Sequence, residues 1–191
     1  MKLRSFNKKI IVCGCDEAGR GALAGPVFAS AVILPKSFNH PLLNDSKKIP
    51  EKTRTLLRFY IEKHAIKWSV AKVSPKRIDK INILNASIEA MHKAIEKINH
   101  TMDLLIIDGN KFKKYKKINH KCIIKGDTKY ISIASASILA KTHRDDYMRK
   151  IYTKEPFFNW IKNKGYPTKE HKLKIKENGL TIYHRKTFKV S

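Results

Sequence analysis

At 191 residues and 42% hydrophobic content the chain can bury a core without disulfides or a structural metal, and its three cysteines, Cys13, Cys15 and Cys122, make no disulfide framework. No apolar run approaches the roughly 18 to 20 residues of a membrane span, and Met1 to Lys9 lack the apolar stretch and cleavage site of a secretory signal, so a soluble cytoplasmic protein is expected. The 41 Lys and Arg against 16 Asp and Glu leave a formal charge of +25, a field that attracts nucleic acid, although 33 of the 41 are Lys and a drift in codon usage would give the same excess.

In chain order, the apolar run Ile10 to Cys15, a glycine-rich bend and the run Val27 to Leu34, stopped by Pro35, predict two strands around a tight turn. Lys52 to His64 carries Leu56, Leu57, Tyr60 and Ile61 at helical spacing, and Lys67 to Val73 alternates like a strand. Ser74 before Pro75 is a helix start with serine at the N-cap and proline at N1. Behind it Leu84, Ile88, Met91, Ile95 and Ile98 form the apolar stripe of a core-facing helix. Leu104 to Ile107 and Cys122 to Ile124 predict short strands, Ser132 to Lys150 a helix, and Thr168 to Gly179 a last helix ended by a C′ glycine. No repeat or linker divides the chain. One α/β domain follows, a mixed sheet flanked by helices, with a helical C-terminal segment over about 151–188 beside the cleft and a mobile basic tail.

Three apolar runs end in acid beside glycine: Cys15-Asp16-Glu17, Ile107-Asp108-Gly109 and Lys125-Gly126-Asp127. Strand ends are where side chains leave a rigid scaffold, so catalytic groups gather there. Carboxylates converging on one such end repel one another unless a cation neutralises them. Oxygen-only donors suit Mg²⁺ or Mn²⁺, and two such ions stabilise the attacking and leaving oxygens of a phosphoryl displacement. A basic protein with an acidic, metal-binding centre is the design of a nuclease. Turn and capping roles for the same carboxylates weigh about equally on spacing alone.

The stretch Gly14-Cys15-Asp16-Glu17-Ala18-Gly19-Arg20-Gly21 with Leu23-Ala24-Gly25-Pro26-Val27 closely resembles the opening motif of ribonuclease HII. The same family order continues through Leu43-Asn44-Asp45-Ser46-Lys47-Lys48, Ile81-Asn82-Ile83-Leu84-Asn85-Ala86, Ile107-Asp108-Gly109-Asn110, Lys125-Gly126-Asp127, Ala134 to Lys141 with Arg144-Asp145, and Lys164-Gly165-Tyr166-Pro167-Thr168. The resemblance implies a ribonuclease H-like fold and an endoribonuclease that acts on RNA–DNA hybrids and on DNA duplexes containing ribonucleotides. It further implies two divalent ions, Mn²⁺ or Mg²⁺, a monomer, and incision 5′ of a single embedded ribonucleotide to give 3′-hydroxyl and 5′-phosphate ends. By motif, Asp16, Glu17, Asp108 and Asp127 are expected to be catalytic and to hold the metal. Gly19, Arg20, Gly21 and Tyr166 are expected at the ribonucleotide junction, with Lys47 and Ser137 on phosphates. The physics agrees, because the 2′-hydroxyl alone distinguishes one ribonucleotide, and glycines let main chain approach it. Recruitment by a sliding clamp is left open by the residues.

Two positions depart from the family pattern: Asn163 where His is usual, and Cys15 where an aliphatic residue is usual. Cys13 and Cys15 are expected as buried small hydrophobes, His143 as no general base, Asp145 and Asp146 as surface or ion-pairing residues, Lys111 to Lys121 as a solvated loop, and Trp68 and Trp160 as packing residues. A non-catalytic basic nucleic-acid-binding protein and a hybrid-only ribonuclease H without junction preference are the competing alternatives.

Overall fold

The computed structural model describes residues 3–43 and 49–190. Strands β1 (Val12–Ala18) and β2 (Val27–Ile33) form an antiparallel pair with Cys13 opposite Ile33 and Asp16 opposite Ser30. Helix α1 (Glu51–His64) leads to strand β3 (Lys67–Val73), antiparallel to β2, and then to helix α2 (Pro75–Ile98). Strands β4 (Leu104–Asp108) and β5 (Asn119–Ile123) add in parallel beyond β1, completing a mixed sheet in the order β3-β2-β1-β4-β5. A 3₁₀ turn (Gly126–Thr128), helix α3 (Ile131–Tyr152), a second 3₁₀ turn (Pro156–Phe158) and helices α4 (Trp160–Asn163) and α5 (Lys169–Asn178) follow.

The pleat decides which helix each strand residue meets. Cys13, Cys15, Leu105 and Ile107 face α2 in a core with Ala29, Ala31, Ala90 and Met91, so both cysteines are indeed buried small hydrophobes. The alternate residues face α3, and at Gly14 the Ser132–Ile133 main chain comes so close that any Cβ would collide with it. Asp16, two residues beyond Gly14, and Asp108, two beyond Ile106, therefore emerge on the α3 side. On that side Val32, Ala134, Ile138 and Leu139 pack with Leu57 and Ile61 of α1.

Ser74 caps α2 through the Arg77 N–H, as its sequence predicts. The helix is nonetheless broken at Asn82, whose φ of 61° takes it out of the helix while its side chain caps the restarted turn at Asn85. The segment Lys111 to Lys121 is not wholly loop: Asn119 to Lys121 belong to β5, an edge strand whose polar residues hide the alternation. The tail expected to be mobile packs instead, Phe188 lying 5.0 Å from the Arg185 guanidinium and Val190 against the C-terminal cluster. Trp160 is fully buried in that cluster with Phe158, Met148 and Leu23, and Trp68 is half-buried beside His143. Among the described residues no helix is long and apolar enough to cross a membrane.

Candidate active site

The parallel register pairs Cys15 with Ile107, so Asp16 and Asp108 leave β1 and β4 side by side at one end of the sheet. Asp16 is 4% exposed, and burial first, then the charges of Glu17 and Asp108, push its carboxyl well above the ordinary carboxylate range. Hydrogen bonds from the Ser137 hydroxyl and from the Glu17 N–H, the latter at 2.6 Å, partly offset that rise. Glu17 is also raised, by burial above all, with the Arg20 guanidinium at 3.2 Å opposing. Its Oε1 faces Arg20 while its Oε2 is buried with no hydrogen-bond partner.

Asp108 is held by the Gly126 N–H, which donates to its Oδ1 at 2.7 Å. Asp127, the next residue, is 5% exposed in the 3₁₀ turn rather than at a strand end. A Cβ at Gly126 would lie 2.6 Å from the tip of the Ile133 side chain, which would have to shift to admit it. The fold thus brings Asp16, Glu17 and Asp108 within electrostatic reach of one another, and Asp127 follows the Gly126 that bonds Asp108. Among the described residues no three His, Cys, Asp or Glu side chains are drawn closely enough to make a ready cage. A hard cation takes one or two carboxylates and completes its shell with water and phosphate oxygens. The orphaned Glu17 Oε2 and the unfavourable charge on Asp16 are the features such a cation relieves, so the donor set fits a divalent metal.

The Gly19–Pro26 loop beside these carboxylates is sewn to the C-terminal segment. The Leu23 and Ala24 N–H groups donate to the Gly165 carbonyl at 2.8 and 3.2 Å, and the Arg185 N–H donates to the Leu23 carbonyl at 2.9 Å. Gly165, with φ of 82°, fits because a Cβ would sit 2.5 Å from the Ala24 carbonyl oxygen. Tyr166 is half-buried next to it, its ring 5.2 Å from the Arg144 guanidinium and its carbonyl accepting from His171 Nδ1 at 2.9 Å. Asn163, the departure from the family pattern, turns both ends of its amide inward, Nδ2 to the Phe158 carbonyl at 2.7 Å and Oδ1 to the Gly165 N–H at 2.8 Å. It shapes the turn that presents Tyr166.

Ser137 is buried with its hydroxyl on Asp16, so a phosphate contact would have to displace that bond. Lys47 lies outside the described residues. His143 stands away from the carboxylates, bonded to Glu62 at 2.8 Å between α1 and α3. Asp146 is an exposed ion-pairing residue, whereas Asp145 is buried against Lys141 at 2.6 Å. Sequence reasoning missed Arg185 and gave no role to Arg144, quoted only within the family's motif series; both are buried behind the loop. Arg144 had the family motif as its advance signal, and Arg185 had none.

The family model for ribonuclease HII matches residues 13–191. A ribonuclease HII of Bacteroides thetaiotaomicron is 58% identical over 188 residues, spanning 98% of this chain and 94% of that protein. The ribonuclease HII in a PCNA complex from Archaeoglobus fulgidus superposes with a TM-score of 0.78 at 23% identity, covering 95% of this chain and 96% of that one. Bst-RNase HIII in complex with Mn²⁺ superposes with a TM-score of 0.73 at 14% identity, over 94% of this chain and 67% of that one. The mixed sheet flanked by helices is thus ribonuclease H-like, and the chain belongs to the ribonuclease HII family of endonucleases, which hydrolyse RNA in RNA–DNA hybrids.

Proposed function

We propose that this ribonuclease HII incises duplex DNA on the 5′ side of a single embedded ribonucleotide, as well as cutting the RNA strand of hybrids, with Asp16, Glu17, Asp108 and Asp127 as its metal-holding catalytic set. The observation that carries this reading is the mutual repulsion of buried Asp16 with Glu17 and Asp108 in a protein of net charge +25. Two divalent ions held there, Mg²⁺ or Mn²⁺, would neutralise the attacking and leaving oxygens of an in-line displacement in which water attacks phosphorus and the P–O3′ bond breaks.

The chain's own residues do the rest. Ser137 and the Glu17 N–H orient the Asp16 carboxylate, and the Gly126 N–H orients Asp108. The Gly19-Arg20-Gly21 main chain lies beside Glu17, where it can meet the ribose 2′-hydroxyl, the one group that marks the substrate nucleotide. Tyr166, its ring backed by Arg144, stacks at the following deoxynucleotide and disfavours an extra hydroxyl there. The protein acts as a monomer. Purified protein given a duplex with one ribonucleotide should incise it with Mg²⁺ or Mn²⁺ and stop in chelator. Cutting of hybrid but not of this duplex would favour the hybrid-only alternative, and salt-sensitive binding with no cutting would favour a binding protein.

A further inference from the structure

Arg144 and Arg185 are both buried behind the glycine loop, and they divide its carbonyls between them. Arg144 donates to the carbonyls of Pro26, Lys164 and Ala24 at 3.2, 2.9 and 3.1 Å. Arg185 donates through Nη2 to Gly19 at 2.7 Å, through Nη1 to Arg20 at 2.8 Å, and through Nε and Nη2 to Gly25 at 3.0 and 2.9 Å. Burial, and then the like charge of Arg144, hold the Arg185 guanidinium down to about 9. Mere filling would be served as well by an apolar side chain of similar volume. What an arginine adds is a rigid planar fork of donors.

That fork sets the direction of two peptide planes. The described peptide bonds are all trans, and in a trans peptide the carbonyl and the next N–H point in opposite directions. The Gly19 carbonyl is turned inward, to Arg185 and to the Ala22 N–H at 3.4 Å, and the Arg20 carbonyl is turned inward to Arg185. The N–H groups of Arg20 and Gly21 must then point outward. Neither has a partner among the described residues, and both residues are exposed beside Glu17.

We propose that Arg185 is a positioning residue for ribonucleotide recognition: by holding the Gly19 and Arg20 carbonyls it presents the Arg20 and Gly21 N–H groups as paired donors to the 2′-hydroxyl oxygen. This rests on the assignment of the Gly19–Gly21 main chain to the 2′-hydroxyl made above. Lysine at 185 keeps the charge but cannot span three carbonyls in one plane.

The test uses full-length protein carrying Asp108→Asn, so that bound duplex stays intact, with and without Arg185→Lys, and measures affinity for a one-ribonucleotide duplex and for the same duplex in all-DNA form. The parent should prefer the ribonucleotide by about tenfold, a difference of the size one hydrogen bond supplies. Arg185→Lys should bring the two affinities within about twofold while all-DNA binding holds, with a lower melting temperature from the carbonyls left without donors. A preference that survives in Arg185→Lys, or a uniform loss of both affinities with stability, overturns the proposal. A parent with no preference overturns the 2′-hydroxyl assignment itself, and the proposal with it. Should Arg185→Lys fail to fold, amide resonances of the unaltered chain decide: the Arg20 and Gly21 N–H should exchange fast and shift only with the ribonucleotide duplex, and protection in the free protein refutes the outward orientation.

Discussion

The molecule buries polar groups in two neighbouring places and treats them oppositely. In the carboxylate pocket like charges face one another, Glu17 Oε2 has no partner and Asp16 is driven towards its neutral form. In the C-terminal seam no buried side-chain nitrogen or oxygen of the described residues lacks a partner. Arg144 and Arg185 give their hydrogens to carbonyls. The Tyr166 carbonyl can only accept, so His171 carries its hydrogen on Nδ1, and its single Nε2 lone pair is shared between Trp160 Nε1 at 3.0 Å and His184 Nε2 at 3.2 Å. His184 Nδ1 in turn accepts from the Thr181 N–H at 3.0 Å. Equal burial with unequal completeness separates scaffold from proposed site: the seam's buried side chains are matched within the chain, and the pocket keeps an unpartnered carboxylate oxygen.

The sharpest way to break that comparison is Asp108→Asn. If Asp108 holds the metal as proposed, its loss should lower cleavage by at least about a thousandfold, while duplex binding is retained or tightened because a negative charge is gone. Undiminished cutting would remove Asp108 from the site. In the seam the penalty should fall on stability instead. Arg144→Ala leaves the carbonyls of Ala24, Pro26 and Lys164 without donors and should cost about 3 kcal/mol or more in urea unfolding, whereas a loss under about 1 kcal/mol would mean that the seam is not the finished scaffold described here.

Next in size is the response to the ion. Mg²⁺ or Mn²⁺ at a hundredfold excess over its Kd should stabilise the chain by about 2.7 kcal/mol, and Asp16→Asn should blunt that gain while raising the melting temperature in chelator. An equal gain in Asp16→Asn would place the ion elsewhere.

Much of this contrast can be read in the amino-acid sequence, but unevenly. Local signals carried β1, β2 and the α2 cap at Ser74, because periodicity and capping act within a few residues. The Asp16-Glu17 and Asp108 positions stood out because acid is scarce in this chain and falls at the ends of apolar runs. The seam gave no such signal in charge or periodicity, its Arg144 and Gly165-Tyr166 standing out only through the family motifs. Arg185 meets Gly19 across 166 positions and Arg144 meets Ala24 across 120, so nothing in their own neighbourhoods distinguishes them from surface arginines. The Asn82 break was hidden because the apolar stripe that marks α2, Leu84 to Ile98, lies wholly after it, and β5 by the polar Asn119-His120-Lys121 of an edge strand. Ser137 looked like a hydroxyl for phosphate because its partner on β1 lies far away in sequence.

The smallest effect separates the two regions by sign. Burial first, and then the like charge of His171, bring His184 from 6.5 down to about 4. Between those values the unfolded chain binds a proton that the folded chain refuses, so stability rises with pH across this window, is complete above 6.5 and is lost as pH falls towards 4. Asp16 runs the other way. Its folded carboxyl keeps a proton above 3.8, so in chelator the pocket contributes stability at low pH that is lost as pH rises through the raised value. Melting curves in chelator from pH 4 upward should therefore show His184→Gln flattening the rise below 6.5 and Asp16→Asn removing the decline. A pH profile unchanged by either substitution would show that neither group's burial differs between folded and unfolded chain, and the distinction between finished seam and unfinished pocket would lose its electrostatic basis.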